Sequence, residues 1–314
     1  MTYENFKESV EKEVRNLLGA DLLGAKYTVE PKRAIKENGL VLDGLCISET
    51  GSSLGKVIYI NHFYKTNIRN SAHDSFIKKV AEDIVKLYQE SDSPFSPTLS
   101  DTVLSDFEYV KPRIMFQLIN TAANTELLSS MPHIPYLNLS VIFYIDCGHY
   151  GDNSLAIKIK NDAAKSWGVD AQDLWEIAKA NAAEKNDLVI LPITDIINNM
   201  GHSSLDTDIY EPPFTFYIIT NKASIKGASC ILYPNALQTF ADKIEDDIIV
   251  LPSSIHECLL LAKKDADNVE GLSQMVTSIN ANTVSLEDRL SNQVYLFRRS
   301  TGKLEIVSNA PEKI

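Results

Sequence analysis

The 314-residue sequence has few cysteines and no long hydrophobic run. Its four cysteines are widely spaced among apolar residues, which is typical of reduced thiols in a cytoplasmic protein. The most apolar stretch, residues 134–145, is interrupted by Pro135, Asn138 and Ser140 and is too short to span a membrane. The N-terminus lacks the basic start and apolar core of a signal peptide. These absences predict a cytoplasmic protein without a membrane partner.

Catalytic and cofactor-binding motifs are also missing. The sequence contains no Gly-x-Ser-x-Gly elbow, no phosphate-binding glycine loop and no dinucleotide fingerprint, so no cofactor is predicted. The 42 acidic side chains outnumber the 30 basic ones, giving a formal net charge of −12. A field of this sign repels phosphate backbones, and we therefore expect no nucleic-acid partner. The sequence carries no indication of the oligomeric state.

Composition and patterning divide the chain into two parts. The segment 92–101 combines serine, proline and aspartate without periodicity and is the predicted linker. It separates an N-terminal α+β domain, residues 1–91, from a larger C-terminal α+β domain, residues 102–314. Strand pairs separated by single helices predict an α+β fold with antiparallel or mixed sheets and helices packed on one face.

Local signals define several elements of the first domain. Thr2 is a predicted cap for a helix that Gly19 ends, and Leu17 belongs to the apolar stripe of that helix. A short helix is predicted next, with Pro31 in its first turn and Gly39 after its end. Leu42–Ile47 and Val57–Ile60 are predicted to form a hairpin.

In the second domain, Asp170 and Asp173 have the spacing of two residues that cap one helical turn. The apolar segment Ser229–Tyr233 is predicted to be a strand, as are Ile248–Leu251 and Cys258–Ala262. A final hairpin turns at Thr301 and Gly302.

The turn Pro252–Cys258 is the candidate functional segment. It contains Ser253, Ser254, His256 and Glu257 between two apolar strands. A zinc protease needs His-Glu-x-x-His, and the fourth residue after His256 is Leu260, so that motif is broken and no metal site is predicted. The simpler interpretation is a capping box, in which Ser254 and Glu257 close one helical turn and His256 is a hydrogen-bonded surface or cleft residue.

Weaker candidates lie elsewhere. Asp146-Cys147-Gly148-His149 places a thiol near a base, but neighbouring strand residues point to opposite faces and nothing indicates a stabilised thiolate. The acidic groups Asp206 with Asp208, and residues 245–247, have the chemistry of a divalent cation site. Solvated loop charges explain both groups more simply.

Four strings carry a resemblance to a known family: the segment 42–45 after a Glu-Asn-Gly turn, Met131-Pro132-His133-Ile134-Pro135, the segment 228–234, and the segment 251–257. With these strings the chain resembles the bacterial domain-of-unknown-function family 5688 over nearly its whole length. The resemblance implies a bacterial, cytoplasmic protein. It supplies no catalytic residue, substrate or cofactor.

Two function hypotheses follow. The first is a non-enzymatic protein that recognises another protein or a peptide through a cleft or sheet edge of its second domain. The alternative is a hydrolase-type enzyme with its site around the Pro252–Cys258 turn, which requires that these side chains meet other ionisable groups in one pocket. A regulatory or structural partner encoded by a mobile element remains a third interpretation, which the sequence does not separate from the first.

Overall fold

The computed structural model describes residues 1–52, 55–67, 73–90, 104–150, 153–195, 215–252, 254–266, 268–312 and 314. The chain forms two compact units. The first consists of Met1–Lys36 and Leu40–Asp106, and the second of Glu37–Gly39 and Phe107–Ile314. The predicted linker 92–101 lies outside the described residues. Among the residues described, no helix combines the length and apolarity needed to cross a bilayer.

The first unit packs helices on a three-stranded antiparallel sheet in the order β1-β2-β3. Its elements are α1 (Tyr3–Leu18), β1 (Tyr27–Ile35), β2 (Val41–Glu49), β3 (Gly55–Tyr59), α2 (Asn61–Asn67) and α3 (His73–Glu90). The apolar stripes of α1 and α3 meet each other and the sheet in a core that includes Phe6, Val10, Leu45 and Ile84.

Three sequence predictions for this unit are confirmed and two are wrong. The predicted hairpin of Leu42–Ile47 with Val57–Ile60 is present as the antiparallel pair of β2 and β3. The Thr2 hydroxyl caps α1, and Gly19 ends it in the left-handed region. Leu17 is exposed rather than part of the core stripe. The predicted helix at Pro31 is instead the middle of β1, because nine residues pair with β2 and an edge strand tolerates a proline. Only Glu37–Gly39 is helical there, as a 3₁₀ turn.

The second unit contains two antiparallel sheets among its described strands. Its first elements are α4 (Phe107–Val110), a 3₁₀ turn (Lys111–Arg113), β4 (Ile114–Asn120), α5 (Thr125–Ser129), β5 (His133–Tyr136), β6 (Leu139–Tyr150), β7 (Asn153–Lys158), α6 (Asn161–Trp167) and α7 (Ala171–Lys185). The long strand β6 pairs with β4 along one edge and with β5 and then β7 along the other. Helix α7 packs on β4, and its predicted capping box at Asp170 and Asp173 is confirmed.

The six-stranded sheet has the order β13-β12-β10-β11-β9-β8. Its elements and connections are β8 (Leu188–Pro192), β9 (Tyr217–Asn221), a 3₁₀ helix (Gly227–Leu232), α8 (Ala236–Ile244), β10 (Ile248–Leu251), β11 (Cys258–Ala262), a 3₁₀ turn (Lys263–Asp265), α9 (Val269–Asn282), a 3₁₀ turn (Leu286–Asp288), β12 (Tyr295–Arg298) and β13 (Lys303–Ile306). Helix α9 covers one face through Val276, which packs with Ile249, Leu261 and Leu296.

The α+β class is therefore confirmed, and every strand pairing described is antiparallel. One predicted strand of the second domain is wrong. The first four residues of Ser229–Tyr233 lie in the 3₁₀ helix Gly227–Leu232, Tyr233 is the residue after its end, and the segment is buried along most of its length. A short apolar run is compatible with either a strand or a buried helix, so periodicity could not separate the two.

Candidate functional site

The candidate turn lies between β10 and β11, as predicted. Ser253 lies outside the described residues. Ser254 is buried and forms an isolated bridge with Arg289, while the N–H of Ile255 donates to the carbonyl of Asp288 at 2.8 Å. This antiparallel bridge fixes the candidate turn against Asp288 and Arg289.

The His256 ring is held on both of its nitrogens. Its Nδ1 accepts the backbone N–H of Lys226 at 3.3 Å, and its Nε2 lies 3.2 Å from Oδ1 of Asp288. Because Nδ1 is an acceptor, the neutral ring carries its proton on Nε2 and donates it to Asp288. Asp288 accepts a second bond, from the hydroxyl of Ser285 at 2.6 Å.

These contacts define what His256 can do. A general base or a metal ligand needs a ring nitrogen with a free lone pair, and the only lone pair of this neutral ring already accepts the Lys226 N–H. The ring therefore joins two loops to Asp288 in this arrangement. No group of three or more metal-ligating side chains occurs in the described part of the chain.

Ser254 and Glu257 do not form the predicted capping box. The described residues between β10 and β11 are not helical, and the Ser254 hydroxyl accepts the N–H of His256 two residues later, at 3.0 Å. This is the short serine turn that competes with helix formation. Burial raises the pKa of the Glu257 carboxyl, while His256 and the Ser254 hydroxyl act in the opposite direction. Cys258 is fully buried, and that burial raises its thiol pKa far above the ordinary value.

The turn that holds His256 has an unusual backbone. Ser224 and Lys226 both adopt positive φ, at 53° and 56°, a region that non-glycine residues avoid. Gly227 follows, and a Cβ there would lie 2.1 Å from Oγ1 of Thr220 and 2.6 Å from the carbonyl oxygen of His256. Only glycine fits this close approach. The packing of Gly227 against Thr220 and the His256 carbonyl therefore fixes the backbone next to Lys226.

The Lys226 side chain reaches a polar face of the four-stranded sheet. Tyr144 of β6 is directly opposite Met115 of β4 and Lys158 of β7, so these three side chains share one face. The ammonium of Lys226 lies 5.0 Å from the centroid of the Tyr144 ring. We name this region the charged face and define it by six residues: Glu37, Tyr144, Asp146, Lys158, Lys185 and Lys226.

One end of the charged face is a nearly buried ion pair. Lys158 Nζ lies 2.6 Å from Oε1 of Glu37, whose side chain is 11% exposed, and the amide of Gln117 donates to the same oxygen at 3.2 Å. Burial alone would raise the pKa of Glu37, but the charge and hydrogen bond of Lys158, with the amide of Gln117, hold it below the ordinary value. The amide oxygen of Gln117 is buried without a described hydrogen-bond partner.

The other end is a second ion-pair group. Lys185 lies 3.1 Å from Asp146 and 3.5 Å from Asp187. Burial acts to lower the pKa of Lys185, but its bond to Asp146 and the two carboxylate charges raise it above the ordinary value. The Tyr233 hydroxyl lies 3.4 Å from Asp187. Burial raises the pKa of Tyr233, and it raises the pKa of the neighbouring Cys230 thiol to about 12. Lys185 therefore stays charged, and Cys230 and Tyr233 stay protonated, at neutral pH. Neither Cys230 nor Tyr233 is an activated nucleophile.

A cleft of about 530 Å³ opens beside this second group. It forms where the pairing of β6 with β7 shifts register between Asp146 and His149, and such bulges often re-aim side chains next to functional sites. Its lining combines both charge signs with apolar surface: Pro112, Arg113, Met115, Asp146, Cys147, Gly148, Asn181, Glu184 and Lys185.

The weaker sequence candidates have structural explanations. Burial and the Asp146 charge raise the pKa of Cys147 and outweigh the opposing effect of Arg113, so its thiolate is not stabilised. Asp246 accepts the N–H groups of Asp247 and Lys264, so both oxygens of its carboxylate bond to the backbone. Asp206 and Asp208 lie outside the described residues.

Sequence reasoning missed the charged face because its members come from five distant segments. One signal was available. Tyr144 and Asp146 are polar residues at alternate positions of a strongly apolar strand, and this spacing places both on one face. Their partners Glu37, Lys158 and Lys226 have no common pattern that a reader of the sequence could use.

The chain is a two-unit α+β protein whose second unit carries the charged face and an adjoining cleft. Its family is shown by a family model that matches residues 3–299, so the chain belongs to the family of unknown function DUF5688. Neither the curated proteins nor the solved structures contain a match to this chain.

Proposed function

We propose that this chain is a non-enzymatic protein that binds another protein or a peptide through the cleft beside the charged face. The observation that carries the proposal is the cleft itself. Its lining combines the cations Arg113 and Lys185 and the anions Asp146 and Glu184 with the apolar side chain of Met115. Recognition sites for peptides combine apolar contact with a few fixed polar groups in this manner.

The cellular setting belongs to the same proposal. We place the protein in the bacterial cytoplasm, and all four cysteines are free thiols, as a reducing compartment favours. The formal charge of −12 makes nucleic acid a poor partner. The partner is therefore a protein or peptide, and the mixed charge of the cleft favours a polar segment over a purely apolar one.

A hydrolase site at the Pro252–Cys258 turn is the second candidate. The contact between His256 and Asp288 favours it, because a carboxylate commonly orients a catalytic histidine. The occupied Nδ1 of His256 and the inert, buried thiol of Cys258 oppose it. The binding proposal accounts for the same contacts as fixed structure, and we therefore prefer it.

A displayed library of random peptides tests the proposal. Selected peptides are synthesised, and their dissociation constants are measured by fluorescence anisotropy with the intact chain. We expect saturable binding that weakens at least about tenfold in Lys185→Ala, since losing a charge-assisted contact removes on the order of 1.5 kcal/mol or more.

Lys165→Ala is the matched control, because Lys165 is an exposed lysine outside the cleft. It should bind the selected peptides as the unaltered chain does. Equal affinity of all three proteins would place the site elsewhere. Saturable turnover of an ester or peptide substrate, abolished in His256→Ala, would replace the binding proposal by the hydrolase.

A further inference from the structure

The cleft beside the charged face is lined by a half-buried cation that has no carboxylate partner in the described part of the chain. Lys185 is paired with Asp146 and Asp187, whereas Arg113 forms no ion pair with a described residue. Removing a guanidinium from water without a carboxylate costs free energy. A ligand that brings a carboxylate to Arg113 would therefore recover part of this cost.

The Arg113 side chain is held in place by its own surroundings. Its Nη1 donates to the carbonyl of Tyr109 at 2.6 Å, and its guanidinium carbon lies 4.1 Å from the centroid of the Tyr109 ring. The Asn181 amide donates to the carbonyls of Lys111 and Ile114, at 2.8 and 2.9 Å, which anchors the backbone on either side of Arg113. A guanidinium has more N–H groups than these contacts use, so donors remain for a ligand and little side-chain freedom is lost on binding.

The guanidinium lies on the cleft side of this segment. Arg113 and Cys147 both line the cleft of about 530 Å³. Burial and the Asp146 charge raise the pKa of the Cys147 thiol, and the charge of Arg113 opposes them, so the guanidinium is close to this thiol. The other lining anion, Glu184, is exposed, and solvent screens its charge more than the charge of a half-buried group. Since Lys185 neutralises Asp146, Arg113 is the unmatched charge that a ligand meets inside the cleft.

We propose that the peptide bound in this cleft carries an aspartate or glutamate side chain that pairs with Arg113. A planar guanidinium and a carboxylate form parallel charge-assisted hydrogen bonds, which also orient the partner. A C-terminal carboxylate fits less well, because its capture uses free backbone N–H groups and the N–H of Gly148 in this lining already donates to Asp146 at 3.0 Å. The inference rests on the proposed peptide binding and specifies the chemistry of the partner.

A double-mutant cycle tests the inference, with peptides selected from a random library against the intact chain as probes. The acidic residues of each peptide are replaced one at a time by their amides, and dissociation constants are measured by fluorescence anisotropy. At one acidic position we expect the replacement to weaken binding to the unaltered chain at least about tenfold, as the loss of a charge-assisted hydrogen bond does. The same replacement should change binding to Arg113→Met by less than about twofold, because the guanidinium is then absent.

Arg33→Met is the matched control, because Arg33 is an exposed arginine of the first unit and lies outside the cleft. With this variant the peptide replacement should weaken binding as much as it does with the unaltered chain. Circular dichroism checks that both variants are folded. The replacement series on the unaltered chain does not depend on either variant.

The outcomes separate this inference from the proposed function. Peptides that bind saturably but tolerate every amide replacement would overturn the pairing with Arg113 and leave peptide binding intact. So would a loss seen only when the peptide C-terminus is amidated. An equal loss with Arg113→Met and with the unaltered chain would also overturn the pairing, because another group would then recognise the carboxylate. If no selected peptide binds saturably, the proposed function and this inference both fail.

Discussion

At the scale of single residues, the contacts of His256 indicate a structural role rather than a catalytic one. Asp288 beside it fits a catalytic pair, but the Lys226 N–H occupies the nitrogen that would accept a proton. The backbone carbonyl of His256 also accepts a hydrogen bond from the Thr220 hydroxyl at 2.8 Å. The residue joins three chain segments, and its structural contribution can be measured directly.

His256→Ala should lower the free energy of unfolding by about 2 to 3 kcal/mol, because it leaves the Lys226 N–H and one oxygen of Asp288 without their partner. Urea unfolding followed by circular dichroism gives the value. His133→Ala is the matched control, since His133 is also half-buried but has one ring contact, from Nδ1 to the Met131 carbonyl. Equal losses in the two variants would contradict the assigned role.

At the scale of elements, the sequence predicted those features whose hydrogen-bond partners lie close together in the chain. The cap at Thr2, the left-handed Gly19 and the Asp170 capping box were all predicted, because each bond joins residues a few positions apart. The conformation of Ser229–Tyr233 was predicted wrongly, since its apolar side chains would be buried in a strand as well as in a helix. Glu37-Asn38-Gly39 was recognised as a turn, but its contacts with Leu286 and Arg289 were not predicted, because these partners lie far away in sequence.

The turn at Glu37–Gly39 is stabilised by a buried asparagine network. The Asn38 amide donates to the carbonyls of Leu286 and Arg289, both at 2.7 Å. Asn38 and Asn124 also exchange bonds, from backbone N–H to side-chain oxygen and from side-chain amide to side-chain oxygen. Asn38 adopts φ 59°, a region in which asparagine is better tolerated than most residues.

Asn38→Ala should cost at least about 2 kcal/mol more in unfolding free energy than Asn186→Ala, because several buried bonds are lost at roughly 0.5 to 1.5 kcal/mol each. Asn186 is the matched control: it also has positive φ, 45°, but it is exposed. The strain of alanine in this region is therefore common to both variants. Chemical unfolding of the pair measures the difference, and similar losses would show that backbone strain outweighs the network.

At the scale of the whole molecule, the two units are not two continuous segments of chain. The chain leaves the first unit at Lys36, contributes Glu37–Gly39 to the second and returns to the first at Leu40. Composition marked 92–101 as a linker but carried no sign of this excursion. The charged face of the second unit therefore includes a carboxylate, Glu37, that lies more than 60 residues before the rest of that unit.

The carboxyl of Glu37 should make the free energy of unfolding depend on pH. The folded pKa of Glu37 lies below the ordinary value of 4.5, mainly because Lys158 opposes the effect of burial. The unfolded chain therefore takes up a proton first as the pH falls, so the contribution is complete above about pH 5 and is lost through and below pH 4.5. Glu37→Gln removes this contribution.

The free energy of unfolding, measured with urea between pH 7 and pH 3, checks this expectation. The unaltered chain should exceed Glu37→Gln by a constant amount down to about pH 5, and the excess should shrink as the pH falls further. Glu176→Gln is the control, because Glu176 forms an exposed pair with Lys179, and such pairs contribute only about 0 to 1 kcal/mol. An excess that grew with acidity would mean that burial, and not Lys158, controls the pKa of this carboxyl, and the ion pair would then not stabilise the contact of Glu37 with β7 inside the second unit.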